Sequence, residues 1–258
     1  MTNTQMHRRS RISGLVDPRL VHPVGIAGLL QWLDFSDITT LYQTNDTSTP
    51  ATTDGQTIGY VADKSGNGNY IIQATDTKRP LYKTGIKNSL SIARFDGSND
   101  YLYRDVNLIG NADSKSIFAV FKITTVQYGG IITTKNSGYD NSPAIDINTD
   151  ANLRIAVILE GSTSVIGITD DTTDFRVISG IREVTANTAY KNGVATGTNV
   201  TNTGVTNFEA STYYGTYRVS ESNFFSGDLA ELIIYNRAVT ESEKDALHAY
   251  LISKWGIA

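Results

Sequence analysis

The C-terminal segment, residues 226–257, constrains the fold of this chain more than any other part. Residues 229–235 are apolar on both faces of the alternating pattern, apart from Glu231, which is typical of a strand buried between two layers. Thr240 and Glu243 then form a T-x-x-E capping box, which predicts the start of a helix. Apolar residues recur at helical spacing as far as Trp255. We therefore expect a buried strand followed by one amphipathic helix.

The rest of the chain predicts short strands joined by turns. Residues 116–125 are apolar on both faces and indicate a central strand, and Asn192-Gly193 is a strong signal for a two-residue hairpin. Further strands are predicted at 130–133, 144–147, 153–159, 175–184 and 213–217. Regular strand spacing without intervening helices favours an all-β, two-sheet sandwich.

Composition agrees with one β-rich domain and excludes several other classes. Only 19% of the 258 residues are charged, and the chain has no cysteine, so neither disulfides nor thiolate metal sites can form. No stretch approaches the ~18 apolar residues of a membrane-spanning helix, so we expect no membrane insertion.

The first 25 residues form a basic arm without an apolar signal segment, so we expect synthesis in a bacterial cytoplasm without a signal peptide. Its cationic residues are Arg8, Arg9, Arg11 and Arg19. With Asp17 the arm carries a net charge of +3; the whole chain carries −4, so residues 26–258 carry −7. This asymmetry predicts an extended arm that docks on an acidic surface of neighbouring subunits in an oligomer, and the alternative is a solvated leader. The acidic domain disfavours nucleic acid as a partner.

Several short motifs carry a resemblance to a known family. They are the opening segment LQWLDFSD at 30–37, the DKSGNG loop at 63–68, the RFDGSNDYL element at 94–102 and the YKNG hairpin at 190–193. Together with the C-terminal segment, they resemble in order the concanavalin A-like (laminin G-like) lectin/glucanase domains of bacterial and bacteriophage proteins, over residues 26–258. The resemblance implies an antiparallel jelly-roll sandwich with one C-terminal helix.

The residues do not favour catalysis. Retaining glycosidases need two carboxyl groups about 5 Å apart, and the glucanase branch of the family supplies them from one strand as E-x-D-x-x-E or E-x-D-x-E. No such run occurs here, and we expect Glu231 to be structural, bonding nearby backbone. His248 lies on the closing helix, where a surface role is expected. The sequence therefore predicts a protein that is not an enzyme.

Two loops have the alternating oxygen ligands that calcium prefers. Asp63, Ser65 and Asn67 match the first half of an EF-hand loop, without its twelfth-position glutamate. Asp96 and Asp100 repeat the alternation. The alternative is that these residues are simply those that tight turns require. No cofactor other than calcium is expected.

Tyrosine is the abundant aromatic residue, with fourteen copies against eight phenylalanines and two tryptophans. A tyrosine ring offers a flat face to a sugar and a hydroxyl to its oxygens. The candidate carbohydrate contacts on loops are Tyr128, Tyr139, Asp140, Asn141 and Tyr214. For each tyrosine, the alternative is a half-exposed strand position.

Three functions remain open from the sequence. We expect a non-enzymatic bacteriophage virion decoration protein, on a capsid or tail surface, that displays a lectin-like domain and binds surface glycans. The alternative is a bacterial carbohydrate-binding or adhesion module, and the third is a divergent glycoside hydrolase.

Overall fold

The predicted sandwich is confirmed. The computed structural model describes residues 22–109, 114–134, 144–148, 154–158, 165–169, 174–184, 186–199, 211–217 and 223–258. Within these ranges the chain forms two antiparallel β-sheets and a single α-helix near the C-terminal end, as in a jelly roll. Among the described helices, none has the length and apolar character needed to cross a membrane.

The described strands number seventeen. In chain order they are β1 (Leu29–Asp34), β2 (Leu41–Tyr42), β3 (Tyr60–Val61), β4 (Ile71–Ile72), β5 (Leu81–Lys87), β6 (Leu90–Asp96), β7 (Leu102–Arg104), β8 (Lys115–Ile123), β9 (Gly129–Thr133), β10 (Ala144–Asn148), β11 (Arg154–Ile158), β12 (Val165–Thr169), β13 (Arg176–Arg182), β14 (Asn187–Lys191), β15 (Val194–Asn199), β16 (Thr212–Tyr214) and β17 (Ser226–Tyr235). The α-helix α1 spans Glu241–Trp255, and short 3-10 helices span Pro23–Gly25, Ile38–Thr40 and Asp76–Lys78.

The strands divide into two sheets. Sheet A has the order β15-β14-β13-β8-β17-β6-β5, with β1 also paired to β17. Sheet B has the order β12-β11-β10-β9-β16-β7-β4-β3-β2. Each sheet combines strands that are distant in the chain, so residues that share a face are set by tertiary pairing.

Strand β17 lies inside sheet A, which explains why its sequence is apolar on both faces. All ten of its residues are buried. Strand β8 runs along one edge, while β6 and β1 share the other. A bulge between Leu229 and Glu231 inserts one extra residue in the pairing with β8. Because of the bulge, Ala230 and Glu231 both turn towards the helix side of the sheet.

The core has two parts. The larger part lies between the sheets and includes Leu33, Phe121 and Leu232 from sheet A and Val61 and Leu102 from sheet B. The second part lies between sheet A and α1, and includes Trp32, Phe118, Ile233, Leu251 and Trp255. Each large apolar side chain buried in this way stabilises the fold by roughly 1.5–3 kcal/mol. Sheet A is therefore covered on both faces.

Helix α1 begins and ends as the sequence predicts. Thr240 Oγ1 accepts from the Glu243 amide, and Glu243 accepts from the Thr240 amide, which completes the capping box. The helix ends at Gly256, whose φ of 57° is in the left-handed region that favours glycine. Leu247, Leu251 and Trp255 of the predicted stripe are buried.

The start of the described chain packs against the domain. Pro23 is buried, and its carbonyl oxygen accepts from the Tyr235 hydroxyl at 3.0 Å. The His22 ring meets the Trp32 ring edge-on, with 4.5 Å between centroids. The predicted docking residues Arg8, Arg9, Arg11 and Arg19 lie outside the described residues, so docking by the arm stays a prediction.

Candidate functional site

The loop residues predicted to contact carbohydrate do not come together in the described part of the chain. Tyr139, Asp140 and Asn141 lie outside the described residues. Tyr128 is half-buried, and its ring meets the Tyr217 ring edge-on at 4.5 Å between centroids.

Tyr214 requires a correction. It is not on a loop but on β16, with no exposed surface, and its hydroxyl donates to Gln31 Oε1 at 2.7 Å. The prediction that Tyr214 contacts a ligand is therefore wrong, because this side chain points into the core. Its neighbour Tyr213 points to the opposite face of the strand and is half-buried.

Tyr213 belongs to a row of side chains across the outer face of sheet B. In the register of neighbouring strands, Tyr42 lies opposite Tyr60, and Tyr60 lies opposite Ile72. Ile72 in turn lies opposite Tyr103, and Tyr103 lies opposite Tyr213. All five side chains are half-buried. They occupy five adjacent strands, and neighbouring strands lie about 4.8 Å apart, so the row is about 19 Å long. We call these five residues the tyrosine row.

Further aromatic rings widen this row. Tyr70, 42% exposed, stacks on Tyr60 with 4.9 Å between centroids and 20° between ring planes. The centroid of the Tyr101 ring lies 6.1 Å from that of Tyr103, 6.3 Å from that of Tyr213 and 6.4 Å from that of Phe224. The tyrosine row together with Tyr70, Tyr101 and Phe224 is called the tyrosine face.

The hydroxyls of Tyr60 and Tyr103 stay protonated at neutral pH. Burial, followed by the neighbouring Tyr70, raises the pKa of Tyr60, and burial, followed by Asp105, raises the pKa of Tyr103. A protonated phenol both donates and accepts hydrogen bonds. The face can therefore bind a flat, hydroxyl-rich molecule through ring contacts and hydrogen bonds at once.

Two cations accompany the rings. The Arg104 guanidinium lies 5.2 Å from the Tyr70 ring centroid, and its Nη1 donates to the Tyr70 carbonyl oxygen at 3.2 Å. The Lys78 ammonium lies 5.7 Å from the Tyr101 centroid. Cation–π contacts of this kind hold both charges against the tyrosine face.

The first predicted calcium loop ties β1 in place. Asp63 Oδ1 accepts from the amides of Trp32 and Ser65, both at 2.9 Å, and Oδ2 accepts from Ser65 Oγ and the Asn69 amide. Asn67 Nδ2 donates to backbone carbonyls of β1. The oxygens of this loop bind protein donors, as the turn alternative expects.

The second predicted calcium loop has the same character. Asp96 Oδ1 accepts from the Ser98 amide at 2.7 Å, and Asp100 Oδ2 accepts from the Asp96 amide at 3.0 Å. Burial, followed by the Asp96 charge, raises the pKa of Asp100 to about 7. Within the described ranges, no three or more His, Cys, Asp or Glu residues are grouped to hold a metal. Calcium at Asp63, Ser65, Asn67, Asp96 and Asp100 stays a prediction.

Glu231 lies beneath α1, with no exposed surface. Its Oε1 accepts from Trp32 Nε1 at 2.7 Å and from the Tyr250 hydroxyl at 2.9 Å. Its Oε2 accepts from Lys254 Nζ and Trp255 Nε1, both at 2.7 Å. The glutamate bonds side chains rather than the backbone that the sequence predicted. Because four donors surround it, neither oxygen is open to a substrate.

A second buried carboxylate joins this network. Lys254 Nζ also contacts Asp34 Oδ1 at 2.8 Å, and Lys64 bridges Asp34 and Asp37. Burial, followed by Asp34, raises the pKa of Glu231. Burial alone would raise the pKa of Asp34, but Lys254 and Lys64 together lower it. The Lys254 ammonium thus bridges the two carboxylates.

His248 also departs from the prediction. It is 3% exposed rather than on the surface, and its Nε2 shares a hydrogen bond of 2.8 Å with Ser179 Oγ. Its ring packs against Phe118 and Tyr190. Burial, followed by Lys244, lowers the pKa of His248 to about 4. It is therefore a neutral core residue at physiological pH.

Solved structures share this fold at low sequence identity. Domain 4 of AbnA, a GH43 extracellular arabinanase from Geobacillus stearothermophilus, is 18% identical, with a TM-score of 0.59 over 85% of this chain and 98% of that domain. A Trypanosoma rangeli sialidase is 13% identical, with a TM-score of 0.59 over 88% of this chain. A GH54 α-L-arabinofuranosidase is 12% identical, with a TM-score of 0.64 over 88% of this chain.

The likeness to the two longer enzymes concerns only part of each. The chain spans 33% of the sialidase chain and 63% of the arabinofuranosidase chain. No protein-family model matches the sequence, and no curated protein sequence matches it. The comparisons thus show a β-sandwich fold shared with these proteins; the narrower assignment to the concanavalin A-like family has no matching family model.

These neighbours correct the first function expected from the sequence. The expectation of a bacteriophage virion decoration protein is wrong, because the similar structures named here are carbohydrate-active proteins, accompanied by the binding domain of Botulinum neurotoxin serotype D at a TM-score of 0.56. They favour the alternative, a carbohydrate-binding or adhesion module.

Proposed function

We propose that this chain is a non-catalytic carbohydrate-binding module that holds a glycan against the tyrosine face. The single observation that carries the proposal is the tyrosine row, in which four tyrosines from four strands lie in register on one exposed face. Aromatic rings in a row match the repeated apolar faces of an extended sugar chain, and their hydroxyls match its oxygens. A length of about 19 Å suits several sugar units rather than one.

The fold supports this proposal from a second direction. The AbnA domain with the same fold was solved in complex with arabinotriose, an oligosaccharide. That domain matches this chain over nearly its whole length, so the comparison is with a module of similar extent. At 18% identity the binding residues cannot be transferred, and the proposed site rests on this chain's own tyrosines.

The buried carboxylates support a role without catalysis. Glu231 and Asp34 both contact Lys254, and Glu231 accepts four hydrogen bonds without any exposed surface. A general acid must reach the glycosidic oxygen, and its partner must reach the anomeric carbon or a water. Neither carboxylate can do so while α1 covers the network.

Alanine substitution of the row tests the proposed function. Tyr60→Ala and Tyr103→Ala should each lower the affinity for the glycan that the wild-type protein binds by about tenfold, equivalent to roughly 1.4 kcal/mol, because a central aromatic contact is lost. Binding is measured by glycan array and then by calorimetry with arabinan and other polysaccharides. Tyr190→Ala is the matched control, since Tyr190 is a half-buried strand tyrosine on sheet A.

The outcomes separate this site from the loop predicted by sequence. Unchanged binding in both row variants would contradict the tyrosine face as the site. Loss of binding in Tyr128→Ala alone would assign recognition to the loop instead. Release of reducing sugar by the wild-type protein would contradict the non-catalytic role.

A further inference from the structure

We infer that the tyrosine face selects a glycan bearing carboxylate groups, with Arg104 as the residue that reads the carboxylate. This inference rests on the proposed function and specifies the class of its ligand. It is carried by the charge pairing of the described residues around the face.

Eight cationic side chains in the described part of the chain make ion pairs with carboxylates. Those that make ion pairs are Lys64, Arg79, Lys83, Lys87, Arg94, Arg237, Lys244 and Lys254. Arg104, Lys78 and Lys122 make no ion pair with a described carboxylate. Of these three, Arg104 and Lys78 contact rings of the tyrosine face.

Of the two cations, Arg104 is the better candidate for binding a carboxylate. Its guanidinium uses one donor, Nη1, on the Tyr70 carbonyl, while Nε is buried without a hydrogen-bond partner. A partly buried cation without a counter-ion is unfavourable, so an incoming anion would offset a desolvation that the fold has already imposed. The planar fork of arginine matches a carboxylate with two parallel hydrogen bonds.

The local electrostatics favour the Arg104 end of the face. Around Tyr60, the Arg104 charge outweighs that of Asp63, and the Asp63 carboxylate is already occupied by four donors. Asp105 lies near Tyr103, so the central part of the face is less positive. Lys78 provides a second cation beyond it, over Tyr101. Two separated cations along an aromatic row suit a polymer with repeated carboxylates better than a neutral chain.

The test compares two forms of one polysaccharide. Polygalacturonate and its fully methyl-esterified form share the same sugar chain and differ in charge. The wild-type protein should bind polygalacturonate about tenfold or more tightly than the ester, and this advantage should shrink as salt rises from 50 to 300 mM, since exposed charges are screened. Colominic acid, an α2,8-linked polysialate, is the second arm and distinguishes a sialic acid from a uronic acid as the preferred carboxylated sugar.

The variants assign the preference to a residue. Arg104→Gln should lose the preference for the acid form, and Arg104→Lys should keep part of this preference. Lys87→Gln is the matched control, because it also removes one positive charge but lies on β5 of sheet A, paired with Asp174. Circular dichroism and melting temperature establish that each variant is folded.

Different results would overturn the selection of acidic glycans and the proposed binding of glycans. Equal wild-type binding of acid and ester would overturn acid selection while supporting sugar binding. An Arg104→Gln variant that is folded and keeps the full preference would remove Arg104 from the role. A wild-type protein that binds arabinan but neither acidic polymer would overturn the inference, whereas failure to bind any glycan would overturn the proposed function with it.

Discussion

At the residue scale, Glu231 joins three parts of the molecule through one carboxylate. Its partners come from β1 through Trp32 and from α1 through Tyr250, Lys254 and Trp255. Hydrogen bonds to a charged acceptor contribute more than neutral ones, and a buried donor left without a partner is unfavourable. The helix, the edge strand and the centre of sheet A are thereby fixed relative to one another.

Glu231→Gln should therefore lower stability without removing an activity. The amide keeps the shape but loses the charge, and it leaves Lys254 with Asp34 alone as its anion. We expect a loss of about 1–3 kcal/mol in the free energy of unfolding, measured by urea denaturation. Glu241→Gln is the control, since Glu241 is exposed on α1 and its pair with Lys244 should contribute little. An unchanged urea midpoint for Glu231→Gln would contradict this account.

His248 should make stability depend on pH. Its pKa is about 4 in the folded state and about 6.5 in the unfolded chain. Between these values the unfolded state binds more protons, so stability is lost as pH falls from 6.5 towards 4. In an Asp100→Asn protein, we expect a loss of about 1–2 kcal/mol between pH 7.5 and 5 that His248→Gln largely abolishes, measured by urea denaturation at both pH values.

The control for this experiment accounts for Asp100. The pKa of Asp100 is about 7 in the folded state, above the usual value of 3.8. Because of this raised pKa, Asp100 makes the protein less stable as pH rises through that interval, which is opposite to the effect of His248. The His248 comparison is therefore made in an Asp100→Asn background. An identical pH dependence with and without His248→Gln in that background would show that His248 does not titrate as described.

At the element scale, α1 acts as the cover of sheet A. Its apolar side chains complete the second core, and its cap at Thr240 and left-handed end at Gly256 set its limits. The helix therefore contributes packing as well as the donors around Glu231.

Leu251→Ala should destabilise the protein by about 2–5 kcal/mol, because Leu251 is fully buried and alanine leaves a cavity. Thr240→Ala should cost about 0.5–2 kcal/mol through loss of the cap. Ser253→Ala is the matched control on the exposed side of the same helix and should change stability by less than about 0.5 kcal/mol. Thermal melting that leaves Leu251→Ala equal to the control would contradict the packing of α1.

At the scale of the whole molecule, the N-terminal boundary of the folded domain can be tested by truncation. Removing residues 1–21 leaves the contact between Pro23 and Tyr235 in place and gives the reference melting temperature. Removing residues 1–25 should cost about 1–3 kcal/mol, because the buried Tyr235 hydroxyl then loses the Pro23 carbonyl. Equal melting temperatures for the two truncated proteins would show that Pro23–Gly25 adds nothing to the fold.

Local features of this protein follow from sequence because short-range physics sets them. The capping box of Thr240 and Glu243 and the continuous apolar runs of β8 and β17 each involve residues within one element. The hairpin at Asn192-Gly193 follows as well, since both residues adopt positive φ there. These features were sufficient to predict the all-β sandwich and its closing helix.

The site and the buried network depended on tertiary structure. Tyr42 and Tyr213 are far apart in the chain, and β2, β3 and β4 have two residues each, too few to show a period. The same strand shortness hid that Tyr214 faces inward while Tyr213 faces outward. Glu231 and its donor Trp32 are 199 residues apart, and a bulge turns the glutamate towards α1. The sequence by itself determined the long central strands, the Asn192-Gly193 hairpin and the capped start of α1, because residues near one another in the chain set them, whereas only strand pairing between distant segments decided which side chains share a face.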